Sequence, residues 1–281
     1  MECLICKSDR QKLVFNEHGV DILKCKKCGH MFSSYKTDQY YDGYFEEIGR
    51  SDVFWWDRAH KAMYSDFGDK YLSDKNGKLL DIGCGLGFFV KKVNSYENWQ
   101  AFGYEISKTA VDFAVNELRL KNVFCGKAEE TDFPENYFDI ITLWDVIEHI
   151  PNPDKILNYI SLILKEDGFL FIHTPNANIQ LVKAKIKKLF YGMKPEMHYL
   201  EARDHINTYT ADSISSVLRR HNFEFIEFIH LPPIQSVSGS KSKFYIFIKN
   251  LWFIFSKFFY RLSFKNINLN NLFIIAKKKN Q

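Results

Sequence analysis

Twelve residues constrain this chain more than any others: "KLLDIGCGLGFF", from Lys78 to Phe89. "KLLDI" is an apolar run of strand length. Gly83, Gly85 and Gly87 then punctuate a turn, and "GFFVKKVN" opens a helix. Similar alternation continues downstream. "QAFGYE" (100–105) reads as a strand, and "SKTAVDFAVNELR" (107–119) as a helix with Ser107 at its N-cap. "NVFC" and "FDIITLW" (138–144) read as strands. "DKILNYISLILK" follows Asn152-Pro153 as a helix that Gly168 is expected to end. "FLFIHTPN" (169–176) is a further strand. Thr210 caps "ADSISSVLRRHN", and "FEFIEFIH" (223–230) and "NLFIIAK" (271–277) close the series. Strands alternating with helices predict an α/β fold with a doubly wound, mostly parallel sheet. Ligands of such sheets sit at the carboxyl ends of the strands, where the glycine turn, Glu105, Trp144-Asp145 and His173-Thr174 all fall.

The turn reads D-x-G-x-G-x-G, which is neither the dinucleotide fingerprint G-x-G-x-x-G nor the phosphate loop G-x4-G-K-S/T. Glu105 ends the next strand, 18 residues after Gly87, where a carboxylate can accept both hydroxyls of a ribose. A ligand with a ribose but no phosphate at the turn fits this pattern best.

The first 36 residues pose a separate question. Six cysteines occur in the chain, and Cys3, Cys6, Cys25 and Cys28 form C-x2-C-x18-C-x2-C. Two such knuckles suit a tetrahedral four-thiolate Zn2+ site, whose metal supplies stability that so small a segment cannot bury for itself. "MECLICKSDR" lacks the apolar stretch of a secretory signal, so metal is favoured over disulfides and a cytoplasmic location is expected. "KLVFNEHGVDILKC" reads as two strands around His18-Gly19. The expected organisation is a zinc ribbon at 1–36, an aromatic lid and helix at 37–76, and the α/β domain at 77–281. An aromatic, basic insert interrupts that domain at about 232–266.

"LLDIGCGLG", "GYEIS", "FDIITLWDVIEHIPNP" and "GFLFIHTPN", in this order and spacing, resemble the class I S-adenosylmethionine-dependent methyltransferases. The resemblance covers about residues 78–230 and the final strand. It implies a Rossmann-like sheet of seven strands. The zinc knuckles followed by "YYDGYF" resemble a subset of that family that methylates sugars and other small metabolites, often in antibiotic-sugar or surface-polysaccharide pathways. By this resemblance Asp81, Gly83, Gly85, Gly87 and Glu105 bind the cofactor, with Ala128 and Glu129 beside its adenine. Lys127 stands where many relatives have an aspartate, which leaves the adenine contact open. Trp144 and Asp145 would border the methionine end, and Tyr41 in "YYDGYF" would reach the cofactor from a lid.

Methyl transfer to a hydroxyl needs alignment and a base, and histidine titrates nearest to working pH. The candidates are His205, in "EARDHINTYT", and His149, beside Glu148 in "IEHIP". The alternative for Glu148-His149 is that the pair merely orders the loop before Pro151. His173 reads as structural. No carboxylate cluster for catalytic Mg2+ is evident, so transfer without a metal is expected. The acceptor expected from the resemblance is a hydroxyl of a sugar or polysaccharide precursor; a carbon of a nucleotide-linked keto sugar is the alternative. A rival class is an RNA-binding or RNA-modifying protein that grips through the zinc unit. A net charge of only +4, and no aromatic and basic surface beside the knuckles, argue against nucleic acid as a partner. "SKFYIFIKNLWFIFSKFFYRLSFK" (242–265) gathers its cations on one stripe of a helix and its aromatics over the rest. It can lie in a membrane interface, at the inner membrane surface, or cover the sheet or a second copy.

Overall fold

A computed structural model describes residues 1–36, 50–235, 243–265 and 268–278. The lid sequence with Tyr41 lies outside the described residues.

Near the N-terminus, β1 (Gln11–Glu17), β2 (Val20–Cys25) and β3 (Met31–Ser33) form an antiparallel meander. Helix α1 (Arg50–Tyr71) leads into the main sheet. There the strands are β4 (Gly77–Ile82), β5 (Trp99–Glu105), β6 (Val123–Cys125), β7 (Phe138–Trp144) and β8 (Leu164–Thr174). The helices α2 (Phe88–Val93), α3 (Lys108–Asn116) and α4 (Asp154–Ile163) alternate with them. Then come α5 (Ala177–Tyr191), β9 (Asn207–Thr208), α6 (Ala211–Arg220), β10 (Phe223–Ile229), α7 (Lys243–Leu262) and β11 (Leu272–Lys278).

The seven-stranded sheet has the order β10-β11-β8-β7-β4-β5-β6. All pairings from β8 to β6 are parallel, and β11 runs antiparallel between β8 and β10. This is the expected Rossmann-like methyltransferase sheet. Its strands are apolar on both faces because helices cover both. Successive side chains point to opposite sides. Thus Leu80, Ile141, Ile172 and Ile274 pack with Ile156 and Ile160 of α4, and with Val217 and Leu218 of α6. Leu79, Ile140, Phe171 and Ile275 pack with Met63 and Phe67 of α1 and with Phe89 and Val90 of α2.

Local signals account for several boundaries. The Ser107 side chain caps α3 by accepting from the Ala110 amide, and Thr210 with Ser213 forms a reciprocal capping box at α6. Gly168 departs from the helix-ending role expected of it. Helix α4 stops at Ile163, and Gly168 lies within β8, where a Cβ would come 2.7 Å from the Asp139 carbonyl oxygen. Helix α5 falls in a segment that the sequence pattern leaves as connection, capped by the Asn176 side chain accepting from the Asn178 amide.

The cysteine unit shares a sheet and a core cluster with the rest of the chain. Strand β9 adds to β3, making a four-stranded sheet β1-β2-β3-β9. Cys3, Ile5, Cys25 and Phe32 join the same core cluster as α4 and α6. Arg220 of α6 donates from Nη1 to the Ile5 carbonyl at 2.7 Å.

Candidate functional site

The glycine turn leaves β4 at the point where the strand order reverses, with β5 on one side and β7 on the other. Gly83 and Gly85 both have positive φ, at 70° and 51°. At Gly83 a Cβ would sit 2.5 Å from Val146 Cγ2, so sterics as well as conformation demand glycine there. The Gly83 and Cys84 amides both donate to the Tyr104 carbonyl, at 2.7 and 3.1 Å, which draws the turn against the end of β5. The Glu105 carboxylate completes the arrangement. Its Oε2 accepts from the Gly85 amide and its Oε1 from the Ser107 amide, each at 2.9 Å. Burial raises the Glu105 pKa, and the amides of Ser107, Gly85 and Ile106 oppose that rise.

This turn opens on a cavity of about 700 Å³ at the carboxyl ends of β4, β5 and β7. Asp81, Gly83, Gly85 and Glu105 line one part, with Ala128 and Glu129 on the adjoining 3₁₀ turn. Trp144, Asp145, His149 and His205 line the rest. Thr142 Oγ1 donates to Asp81 Oδ1 at 2.6 Å. Burial pushes the Asp81 pKa up to about 8, with the Thr142 hydrogen bond opposing and the Glu105 charge reinforcing. Gly87 is absent from the lining. A Cβ on it would meet Leu120 and Ala114 at 2.7 and 3.0 Å, so its glycine serves close packing of the turn on α3.

At the far side, Asp145 adopts φ 52°, rare for a residue with a Cβ. His173 Nδ1 lies 2.9 Å from its Oδ2. Burial pushes Asp145 up, but His173, His60 and His205 outweigh this and keep it below the usual carboxylate range. The His173 ring stacks on Phe273, with centroids 4.4 Å apart.

His149 and His205 meet edge to face, ring centroids 4.9 Å apart. His149 Nδ1 contacts the Asp204 carbonyl at 3.0 Å. A carbonyl only accepts, so Nδ1 carries the proton and Nε2 the lone pair. His205 Nε2 lies 3.4 Å from Glu201 Oε2. Burial lowers both imidazole pKa values. The neighbouring His205 lowers His149 further, whereas Asp145, Asp204 and Glu17 oppose the shift at His205. Both rings are therefore neutral at neutral pH. Glu148 is buried beneath them and accepts from Thr174 Oγ1 at 3.0 Å; burial and Asp145 raise its pKa. Donor atoms of Glu148, His149 and His205 lie within 4.8 Å of one another, a grouping that no spacing in the sequence announces.

Among the lining residues that the sequence does not single out as part of the site are Trp56, His60 and Tyr64 of α1. His60 stacks on Trp56 at 5.0 Å and on Tyr64 at 5.5 Å. Their spacing of four residues is the available signal, since it places them on one helix face. Helical periodicity alone counts Trp56 among the apolar positions and passes over the other two.

The four knuckle cysteines converge, all Sγ atoms lying within 4.8 Å of one another. Cys3 and Cys28 are 3.6 Å apart at sulfur, and Cys6 and Cys25 3.5 Å. A tetrahedron with Zn–S bonds of about 2.3 Å has edges of about 3.8 Å, so the donor set fits Zn2+ in type and in size. The Gly85–Glu105 cradle likewise fits a ribose. Each carboxylate oxygen has a second lone pair beyond the one its backbone amide uses.

A family model described as a methyltransferase domain matches residues 55–227. Among curated proteins, the chain is similar to the ubiquinone biosynthesis O-methyltransferase of Glaesserella parasuis serovar 5, with 31% identity over 157 residues, 47% of this chain and 62% of that protein. The protein of the same name from Neisseria meningitidis serogroup C is 24% identical over 151 residues, 49% of this chain and 63% of its own length. The chain thus spans less than two thirds of the length of these relatives. Among solved structures, phosphoethanolamine N-methyltransferase 2 of Haemonchus contortus in complex with S-adenosyl-L-methionine aligns with TM-score 0.57 and 18% identity. That alignment covers 89% of this chain and 62% of the other. The complex of the Haloferax volcanii Trm112 methyltransferase activator with a methyltransferase aligns with TM-score 0.59 and 12% identity, over 86% and 99% of the two chains. At these identities the structures speak to the fold alone.

Proposed function

The chain belongs to the class I S-adenosylmethionine-dependent methyltransferase-domain family, and on that premise we propose that it transfers a methyl group from S-adenosylmethionine to a hydroxyl of a small molecule. The observation that carries this reading is the cavity itself: the Glu105-braced glycine turn at one end and two neutral histidines at the other. Bound S-adenosylmethionine supplies a methyl group on a sulfonium, a leaving group that needs no activation.

The chain's own residues do the rest. Glu105 accepts the ribose hydroxyls, and Gly83 and Gly85 let the ligand approach the backbone. Ala128 and Glu129 border the adenine, and Trp144 and Asp145 the methionine end. The aromatic wall of Trp56, Tyr64 and Trp144 excludes water from the reacting atoms. The His149–His205 pair takes the acceptor's proton. His149 presents its lone pair at Nε2, and Glu201 orients His205. Glu148 holds the 3₁₀ turn that carries His149, through Thr174. A structural Zn2+ on Cys3, Cys6, Cys25 and Cys28 is part of the same proposal.

The names of the curated relatives favour oxygen as the acceptor atom. They concern a ubiquinone-pathway enzyme, so a sugar acceptor is the narrower proposal and rests on the resemblance of the zinc-bearing N-terminus. The test is a methyl-transfer screen of phenolic and sugar hydroxyl acceptors, with and without added Mg2+, for wild type, His149→Gln and His205→Gln. Each variant is expected to lose about 100-fold in kcat while keeping its affinity for S-adenosylmethionine. Undiminished turnover in both variants would remove the histidines as the base, and a large gain from Mg2+ would assign Glu148, His149 and His205 to a cation instead.

A further inference from the structure

Helix α7 does not hide its aromatic face. It packs through Ser256 and Tyr260, both buried, while Phe247, Leu251, Ile254, Phe255, Phe258 and Leu262 are between 50% and 64% exposed. At 100° per residue these six fall within an arc of about 100°. Helix α5 repeats the arrangement. Val182, Ile186, Leu189 and Phe190 are between 49% and 80% exposed and also span an arc of about 100°.

The two helices are neighbours. The Asn176 side chain, at the N-cap of α5, donates to the carbonyls of Asn268 and Asn270 at 3.0 Å, and Asn270 Nδ2 donates to Ser256 Oγ of α7. Lys183 of α5 is near enough to Lys249 of α7 to reinforce the lowering of its pKa that burial causes.

Their charge is one-sided. The chain has 34 acidic residues, yet neither Ala177–Tyr191 nor Lys243–Leu262 contains one. The first helix carries Lys183, Lys185, Lys187 and Lys188, and the cations of the second include Lys249, Lys257 and Arg261.

We propose that α5 and α7 together form a docking surface for an anionic lipid bilayer, lying in the plane of its interface. Aromatic and aliphatic side chains on one face with cations at the flanks are what such an interface takes up. A second copy of the chain suits the surface less well, because a two-fold contact would bring like charges together with no acid to answer them. Spanning is a different matter: among the described residues no helix is long and apolar enough to cross a membrane. Docking would also hold the cavity rim near the lipid. Lys249 Nζ donates to the carbonyl of Ile234, which lines the cavity, and Gln235 Nε2 donates to Asn250 Oδ1. The inference stands independently of the methyl-transfer proposal.

The test is flotation of the full chain with vesicles of phosphatidylcholine alone or with phosphatidylglycerol added, at low and high salt. The variants are Phe255→Glu with Phe258→Glu in α7, and Leu189→Glu with Phe190→Glu in α5. Flotation is expected with the anionic vesicles only, weakened by salt and lowered about tenfold or more in each double variant. Melting temperatures should be unchanged, because the replaced side chains face solvent. Failure of the folded wild type to float with anionic vesicles would overturn the proposal, as would equal flotation of the variants. A dimer dissolved by the same substitutions, without flotation, would assign the face to a second copy.

Discussion

Replacing Glu105 with glutamine tests the ribose cradle with little change in shape. In the folded chain the carboxylate accepts two backbone amides at 2.9 Å, from Gly85 and Ser107, while one lone pair per oxygen remains for ligand. The amide side chain keeps one acceptor oxygen and sets an NH2 group against the other backbone donor. Hydrogen bonds to a charged group are worth about 1.5–3 kcal/mol each, so losing one ligand contact and weakening the other should cost about 3 kcal/mol of affinity. That corresponds to roughly a 100-fold rise in Kd. The stranded backbone donor should also lower stability by about 1–3 kcal/mol, or a few degrees in Tm. Calorimetric titration with S-adenosylhomocysteine measures the first effect and thermal melting the second. Collapse of the turn could mimic a lost contact, so a ligand lacking the ribose hydroxyls separates the two. It should bind weakly to wild type and no more weakly to the variant, the signature of a coupled pair. Glutamine-variant affinity within about threefold of wild type, on a folded protein, would refute the ribose assignment.

Three further outcomes follow from the same geometry. Metal analysis should give one zinc per chain, and Cys25→Ser should lose it with a large fall in Tm, since a structural zinc site contributes about 10 kcal/mol or more; zinc-free wild type with an unchanged melting curve would exclude the site. The pH profile of kcat/KM should rise through a pKa below 6.5 and stay flat above neutrality, because burial lowers both His149 and His205 and a base must be unprotonated; an inflection well above pH 7 would point to another base. His230 is buried, and burial followed by repulsion from Lys257, Arg261 and Lys70 lowers its pKa to about 4. Its folded value lies below its unfolded one, so its contribution to stability is present above about pH 6.5 and is lost as pH falls towards 4; urea melts should show a steeper acid loss for wild type than for His230→Phe, and equal slopes would refute this.

Much of this architecture could be read from single residues. Gly83 has to be glycine for both φ and space, Ser107 and Thr210 announce helix starts, and the apolar strands announce a sheet covered on both faces. What escapes such reading depends on distant contacts. Gly168 resembles a helix stop by position, but its lack of a side chain answers the Asp139 carbonyl across the sheet, which no local window contains. Helix α5 faces the core only through Ala177, Leu181 and Ala184, a narrow stripe masked in sequence by the exposed Val182, Ile186, Leu189 and Phe190. His60 and Tyr64 belong to the site because α1 packs across the end of β7, bringing Tyr64 within 5.1 Å of Trp144. The pairing of β9 with β3 also escapes, because a two-residue strand is too short to be legible from sequence.

That short strand ties the cysteine unit to the wall of the cavity. Residues 199–208 carry Glu201, Asp204 and His205, which line the cavity, and end in β9 of the N-terminal sheet. Both ends of this segment are held by the first 33 residues. At one end the buried Glu17 carboxylate of β1 accepts the amides of Tyr199, Leu200 and Ala202, at 2.6, 3.0 and 2.9 Å. At the other, β9 pairs with β3 through Met31–Thr208 and Phe32–Asn207, and His30 Nε2 contacts Asn207 Oδ1 at 2.8 Å. Asn207 Nδ2 in turn donates to the Ile150 carbonyl, one residue after His149. The two histidines therefore come from different elements but share one brace. Cys25 ends β2, and Cys28 lies two residues before His30 in the connection to β3, so the second knuckle spans the turn between those strands. A metal held by these four thiolates would act on the two histidines through the backbone it orders.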